Sequence, residues 1–446
     1  MPIPQFAERR MASFDRSCCP CSLFLDVLRW VVWQPCCDAF SFIWSNRRRI
    51  LSRSQKATSD YPDFVSQKTH AEKRATSDHA DAVSRKSQAE KATTDHSDAV
   101  SRNTQEAGGS VIRYTTRLRP QSNLVLLGVG ASGQVYQVDE HVVLKTSRIF
   151  EPPPNDAPPQ DRYLYASDTF YHFNLMQDER AVSRLLEQRP HPNIVQFIDT
   201  DHPEGIYLRR YRPLSQVEPM PVQSVRIQWY RDILSALLHL HSLGIAHSDV
   251  RVDNIVFNYD TTTSDVHVYL CDFSTSCPFG EPNPAFPHPY DPVPVNGLAE
   301  TVSEVTDLFA MGSLIYRMEH GGKPKFSIDD RGALVLPEVQ TGHDGLDAVI
   351  CRAWLGQYSS TAEMLKHVES FLNGQSRSAG RSDSDQITRE PLRDRVRQWR
   401  EQRKKQFGCV LDGVPTEDQI RKLVGEYGWD MNEGRVFVDY KPPSPY

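Results

Sequence analysis

An acid and an amide in the middle of the chain, Asp272 and Asn254, have the makings of a cation site, and a second acid, Asp249, stands beside them. Asp249 and Asn254 stand five residues apart in IAHSDVRVDNIVF, and Asp272 follows Asn254 by eighteen residues in VYLCDFS. Carboxylate and amide oxygens are the hard donors that magnesium takes. Upstream, LVLLGVGASGQVYQV sets Gly128, Gly130 and Gly133 between two strand-like runs. Without Cβ atoms, such a turn lets backbone lie close over phosphates. Lys145 closes the run VVLK twelve residues after Gly133. A buried lysine that is to point at phosphates needs a carboxylate partner, and Glu179 offers one in QDERAVSRLLEQ, with Leu186 seven residues on. Asp178 is the neighbouring alternative, but consecutive helical residues point about 100° apart. A lone G-x-G-x-x-G is a weak signal that suits any hairpin turn. The order of all these groups, rather than one motif, points to phosphate chemistry.

The stretch from about Asn123 to Leu372 alternates strand-like and helix-like runs and holds every one of these residues. WYRDILSALLHLHSLG reads as a helix leading into the Asp249 loop, HPNIV opens a strand, and DLFAMGSLIYRM reads as a later helix. In this order the motifs resemble the eukaryotic-type protein kinases. The likeness is greatest to divergent fungal protein-kinase-like proteins, which share an H-x-D-(I/V/L)-R-x-x-N loop and a late W-x-G-x-Y-type motif, here within CRAWLGQYSS. The resemblance implies an α+β, bilobal protein-kinase-like fold, with a small β-rich N-lobe to about Arg210 and a larger helical C-lobe.

It also implies roles. Gly128, Gly130 and Gly133 would cover the phosphates of ATP, and Lys145, oriented by Glu179, would hold the α- and β-phosphates. Asp249 would accept the hydrogen bond of the substrate hydroxyl, and Arg251 would neutralise charge on the transferring phosphate. Asn254 and Asp272 would hold Mg²⁺. Val135 and Val143 would roof the adenine, and Leu208 would stand at the back of the pocket. Arg209 to Tyr211 would form the hinge, with Arg210, Tyr211 and Val256 completing the nucleotide-contacting set. Asp307 would pin the backbone of the Asp249 loop. His247 reads as a packed structural histidine, and His239 and His241 as ordinary helix residues.

Several positions depart from the family pattern. Ser274 stands where glycine is usual after Asp272-Phe273, and Ser248 replaces the arginine before Asp249. Ser183, one turn after Glu179, replaces a bulky apolar residue, which weakens packing behind that helix. No Ala-Pro-Glu motif lies between Ser274 and Asp307. The arginine that would pair with its glutamate is also missing from YSSTAEM. Both ends of that pair are absent together, so neither leaves a buried charge alone.

The flanks read differently. Residues 1–50 hold five of the nine cysteines and the run CSLFLDVLRWVVWQPCCDAFSFIW before Arg47, Arg48 and Arg49. The run is too interrupted for a bilayer span. Its cysteine pairs and basic cluster suit an S-acylated, peripheral membrane arm over residues 18–49, or else a hydrophobic arm packed on protein. Residues 51–120 contain three tandem polar copies starting at Ala57, Ala75 and Ala92, too poor in apolar residues to stack as a solenoid. A disordered linker is expected there. The chain then runs through a kinase domain over 121–373, a Ser/Arg/Asp linker over 374–390, and a small charged helical tail over 391–446. The tail's basic run, Arg393 to Lys405, reads as a solvated face.

A formal net charge of −6 argues against a nucleic-acid partner. The cysteine spacing fits neither a disulfide framework nor a zinc site, and no signal peptide is evident, so an intracellular, cytoplasmic setting is expected. The resulting expectation is an ATP- and Mg²⁺-dependent kinase acting on a protein hydroxyl, Ser or Thr. Two other readings stand beside it. A pseudokinase scaffold would keep the fold and transfer nothing. A small-molecule kinase shares the H-x-D-x-x-x-x-N loop, but lacks the full glycine loop and HPNIV found here.

Overall fold

The structure, a computed structural model, describes residues 116–258, 266–285, 292–372 and 389–443. The expected arm over 1–50, nearly all of the repeat segment and nearly all of the 374–390 linker lie outside them. Among the described residues, no helix is long and apolar enough to cross a membrane.

The two-lobed α+β architecture is present. In the first lobe, β1 (Leu126–Val129), β2 (Gly133–Gln137) and β3 (Val142–Ser147) form an antiparallel meander. Strands β4 (Phe197–Asp199) and β5 (Ile206–Arg209) complete the sheet in the order β1-β2-β3-β5-β4. Every residue of β3 is buried, as expected of a central strand covered on both faces. Helix α1 (Pro159–Gln188) crosses this lobe and carries Glu179. It begins at a proline in the first turn, where the missing N–H costs nothing. The proline-rich insertion is therefore short, and the helix extends twenty residues upstream of Glu179.

Strand β5 ends at Arg209, and the chain enters the second lobe through β6 (Arg212–Pro213). That lobe is built on α2 (Gln223–Ser242) and α3 (Glu304–His320), with α4 (Asp344–Trp354) and α5 (Thr361–Glu369) packed around them. The short strands β7 (Ile245–Ala246), β8 (Ile255–Phe257) and β9 (Val268–Leu270) bracket the Asp249 loop. Strand β10 (Cys277–Pro278) pairs back onto β7, and β11 (Ser327–Ile328) with β12 (Leu334–Val335) makes a separate hairpin.

The tail is no solvated appendage. Helix α6 (Arg389–Phe407) lays Leu392 and Val396 into one buried cluster with Val142, Leu144, Ile198 and Tyr207 of the sheet. Its cations pair with the lobe's own acids. Arg393 meets Glu187 at 2.9 Å, Arg395 meets Asp139 at 3.3 Å, and Arg400 meets Glu204. Arg403 is buried and donates to the Val410 carbonyl oxygen at 2.7 Å. Helix α7 (Glu417–Tyr427) follows, opened by a Thr416/Gln419 capping box and closed by Gly428 in the left-handed region.

Because Leu392 is 1% exposed and faces the sheet, Leu392→Ala should destabilise the first lobe by about 2–5 kcal/mol, the range for a buried leucine truncation. Urea unfolding followed by tryptophan fluorescence measures this. A loss below about 0.5 kcal/mol, typical of surface substitutions, would mean that α6 only rests on the surface.

Candidate active site

The deepest feature of the site is a cluster of three charges. Lys145 Nζ lies 2.5 Å from Glu179 Oε1 and 2.8 Å from Asp272 Oδ1. Strand β3 aims the lysine inward, α1 brings Glu179 to it, and the turn after β9 supplies Asp272. Burial alone would discharge Lys145, but Asp272 and Glu179 reverse the sign and hold its pKa above the ordinary range. Burial also works against ionised Asp272, yet Lys145 and the hydrogen bonds from Ser274 keep its carboxyl below the usual carboxylate range. The Glu179 carboxyl is pushed up by burial, with Lys145 pulling against the shift. Removing one member of such a buried pair generally costs about 3–5 kcal/mol, because the charge left behind has lost its partner.

Ser274 takes part directly. Its Oγ donates to Asp272 Oδ1 at 2.7 Å, and its backbone N–H donates to the same oxygen at 3.3 Å. Asp272 is one of three non-glycine residues with positive φ among the described residues, at 63°, a strained backbone state that the surroundings must enforce. Glycine at position 274 would lose the hydroxyl bond. Phe273 is 1% exposed, with its ring near His247 and Phe197, so it is turned into the core.

The second part of the site is the loop from His247 to Asn254. Asn254 Nδ2 donates to the Asp249 carboxylate at 2.7 Å and to its carbonyl at 2.9 Å. With its nitrogen committed there, Oδ1 is the atom that remains to meet a cation. Burial pushes the Asp249 carboxyl up, while Arg251 acts in the opposite direction. Arg251 lies between two acids, 3.7 Å from Asp249 and 3.3 Å from Asp253.

Asp307, on α3 and fully buried, accepts from the backbone N–H groups of His247 and Ser248 at 2.7 and 2.9 Å. Ser248 has φ 64°, and its carbonyl accepts from the buried Asn296 side chain at 2.7 Å. His241 does more than an ordinary helix residue. It bridges Asp307 (2.9 Å) and Thr361 Oγ1 (2.6 Å), and so ties the anchor to α5. His247 is packed, as expected, with Nε2 against the Cys271 carbonyl at 3.1 Å. His239 contacts the Arg189 carbonyl at 2.8 Å.

The three glycines divide. A Cβ at Gly128 would meet nothing within 4 Å, and one at Gly130 only a backbone oxygen at 3.9 Å. A Cβ at Gly133 would lie 2.2 Å from the Thr146 carbonyl oxygen. Gly133 is thus required by the pairing of β2 with β3, whereas Gly128 and Gly130 leave open space. Arg148 fixes the loop from beneath, donating twice to the Gly130 carbonyl at 3.0 and 2.7 Å.

The remaining expected contacts lie on the same strands. Val135 pairs across with Lys145, Val143 with Leu208, and Val256 with Tyr269. The Tyr211 hydroxyl accepts from the Gln196 N–H at 3.1 Å. Arg210 gives its backbone N–H to the His141 carbonyl at 2.7 Å, which ties it to the β2–β3 turn. Ser274, Asn296, Arg148 and the link through His241 escape a reading of the sequence. Only Ser274 carried a local signal, since an aspartate often accepts from the residue two positions on.

No protein-family model matches the chain. Over 214 residues it is 26% identical to a serine/threonine-protein kinase-like protein of Arabidopsis thaliana, covering 43% of this chain and 58% of that protein. Over 172 residues it is 25% identical to a serine/threonine-protein kinase of Schizosaccharomyces pombe, covering 35% and 46%. A serine/threonine-protein kinase of Drosophila persimilis is 30% identical over 111 residues, covering 23% of this chain and 15% of that protein. In each case less than two thirds of the relative's own length is spanned. The two-lobed fold and the partial similarity to serine/threonine kinases, fungal ones among them, are consistent with a divergent protein-kinase domain.

Proposed function

We propose that the chain is an ATP- and Mg²⁺-dependent protein kinase that transfers the γ-phosphate to a serine or threonine hydroxyl of a protein. The observation that carries this reading is the closed Lys145–Glu179–Asp272 cluster beside the bonded Asp249–Asn254 pair. Residues and ligand chemistry fit each other. Asp272 and the Asn254 Oδ1 offer two hard oxygens, and magnesium commonly takes only one or two protein ligands, completing its shell with phosphates and water. The open ground above Gly128 and Gly130 suits a polyphosphate, which a side chain there would obstruct.

Magnesium, when bound, supplies charge neutralisation between the phosphates. The protein does the rest by positioning. Lys145, kept charged by its two acids, holds the phosphates nearer the nucleoside. Asp249 accepts the hydrogen bond of the acceptor hydroxyl and aims its oxygen. As the new O–P bond forms and the β–γ bond breaks, the hydroxyl proton passes to Asp249. Arg251 stands close enough to Asp249 to offset charge on the group in transit.

Asp249→Asn should leave nucleotide affinity within about threefold while transfer from labelled ATP to mixed protein acceptors falls by a factor of roughly 10³ or more, since orientation carries most of this reaction. Equal label in wild type and variant, with neither above background, favours the scaffold reading.

The glycines give a second test. Gly130→Ala should leave the melting temperature within about 1 °C but raise the KM for ATP several-fold, because the new methyl meets only the space assigned to phosphates. Gly133→Ala should instead lower stability by about 1–3 kcal/mol through overpacking against β3. Matching effects of the two changes would contradict this division.

Activation-loop phosphorylation has little to act on. Ser248 lacks the charge that would pair with a phosphate. The segment's ends already pair through Gly280 N–H to Val302 O (3.0 Å) and Asn283 N–H to Glu300 O (2.8 Å). Phosphatase treatment, or alanine at the exposed Thr301, should therefore keep activity within about twofold, where a phosphate-ordered loop would lose tenfold or more.

A further inference from the structure

The helix that presents Glu179 to the cleft carries a second acid, one residue earlier, that points elsewhere. Asp178 is buried, and its carboxylate accepts from the backbone N–H groups of Val436 and Phe437 at 3.0 and 3.3 Å. The same group meets Arg435 Nε at 3.3 Å. All three donors come from the last part of the tail.

This contact continues along one side of α1. Asn174 Nδ2 donates to the Glu433 carbonyl at 3.0 Å. Phe170 stacks on Trp429, with ring centroids 5.6 Å apart and 13° between the planes. Ile420 and Val424 of α7 join Phe170 in a separate buried cluster. Tyr163 meets Trp429 and Tyr427 edge-on at 5.6 and 5.5 Å. Positions 163, 170, 174 and 178 are separated by multiples of about one helical turn, so they form a single face. The tail buries that face from Phe170 to Asp178, and Tyr163 stands at its exposed edge.

The tail then leaves α1 and enters the helical lobe. Phe437 is 5% exposed and lies in the main core cluster that both lobes share, Val436 packs against Ala246, Cys277 and Val302 of the helical lobe, and the Tyr440 hydroxyl donates to the Leu243 carbonyl at the end of α2. One segment therefore fastens α1 to the helical lobe.

The helix needs such a fastening. Ser183, one turn beyond Glu179, is fully buried, and its hydroxyl has no hydrogen-bond partner among the described residues. An unmet buried hydroxyl costs about 1–3 kcal/mol, and a small side chain also gives up the packing a larger one would supply there. Burial also opposes the charges of Lys145 and Glu179, so the inward position of α1 depends on keeping that ion pair closed. With Ser248 in place of a basic residue, a phosphorylated loop is no substitute.

We propose that residues 413–440 are a built-in strap that positions the Glu179-bearing helix, and that Asp178 is the positioning residue through which the strap holds Glu179 against Lys145. The purpose assigned to the inward helix rests on the phosphotransfer reading, but the strap itself can be tested without any activity.

The test is hydrogen exchange on the full chain, wild type beside Asp178→Ala, Asp178→Asn and Arg435→Gln, with steady-state kinetics in parallel. In Asp178→Ala the amides of 175–186 should exchange at least about tenfold faster, while those of α2 keep their protection, as expected of a local opening. The kinetics should show kcat falling by about tenfold and KM for ATP rising less, since the lost pair matters most in the transition state. Asp178→Asn keeps one of the two acceptor oxygens for the tail amides and should recover part of both losses, which a merely destabilised fold would not do. If Asp178→Ala instead loosens α2 to the same extent, the decision passes to Arg435→Gln, a partly exposed change that should give a smaller, still selective effect on 175–186. Unchanged exchange of 175–186 in all three variants overturns the strap, and so does loosening that is never selective. A wild type that transfers no phosphate sinks the phosphotransfer reading alone, and the exchange data still decide the strap.

Discussion

Lys145 is 6% exposed, and its ammonium meets carboxylates from two distant parts of the chain. Three charges held out of water are costly unless each is matched closely, and the match here needs three elements placed at once. Strand β3 must be central and buried, α1 must lie inward, and the backbone at Asp272 must accept a left-handed conformation. Ser274 answers the last demand with a hydroxyl, and the tail bears on the second. A change in any one of these loosens the cluster.

The Asp249 loop is held by a different kind of bond. Charged groups set the cluster, whereas backbone amides set the loop. Asp307 accepts from two consecutive N–H groups, His241 braces Asp307, and Asn296 donates to the Ser248 carbonyl that follows them. Fixing the main chain from both sides leaves Asp249 and Asn254 free to orient each other. The strained φ of Ser248 is sustained by these contacts, which is where stored strain is expected in a working site.

The two lobes and the residues of the cleft were legible in the sequence because their signals are local. Fixed spacings place Asp249, Asn254 and Asp272 on one short stretch, and the burial of β3 follows from its apolar run. Other features depend on partners far along the chain. Asp178 was visible as the neighbour of Glu179, yet its donors lie 257 to 259 residues away, and no spacing foretells them. The basic tail helix shows Leu392, Val396, Trp399 and Phe407 as a sparse apolar stripe, so its charge masked its docking face. Gly133 shows how a motif can mislead, for its missing side chain answers to the Thr146 carbonyl rather than to a ligand. The length of α1 was hidden by the prolines before it, which start the helix instead of preventing it.

The charge cluster makes one demand that calorimetry can check directly. A magnesium-bound, non-hydrolysable ATP analogue should bind the wild-type chain, and Lys145→Met should weaken that binding by about tenfold or more, since a buried ion pair to phosphate is worth over 1.4 kcal/mol. Chelating the magnesium should weaken it as well. Wild-type protein that takes up no nucleotide, or equal affinity in the two proteins, would contradict the account.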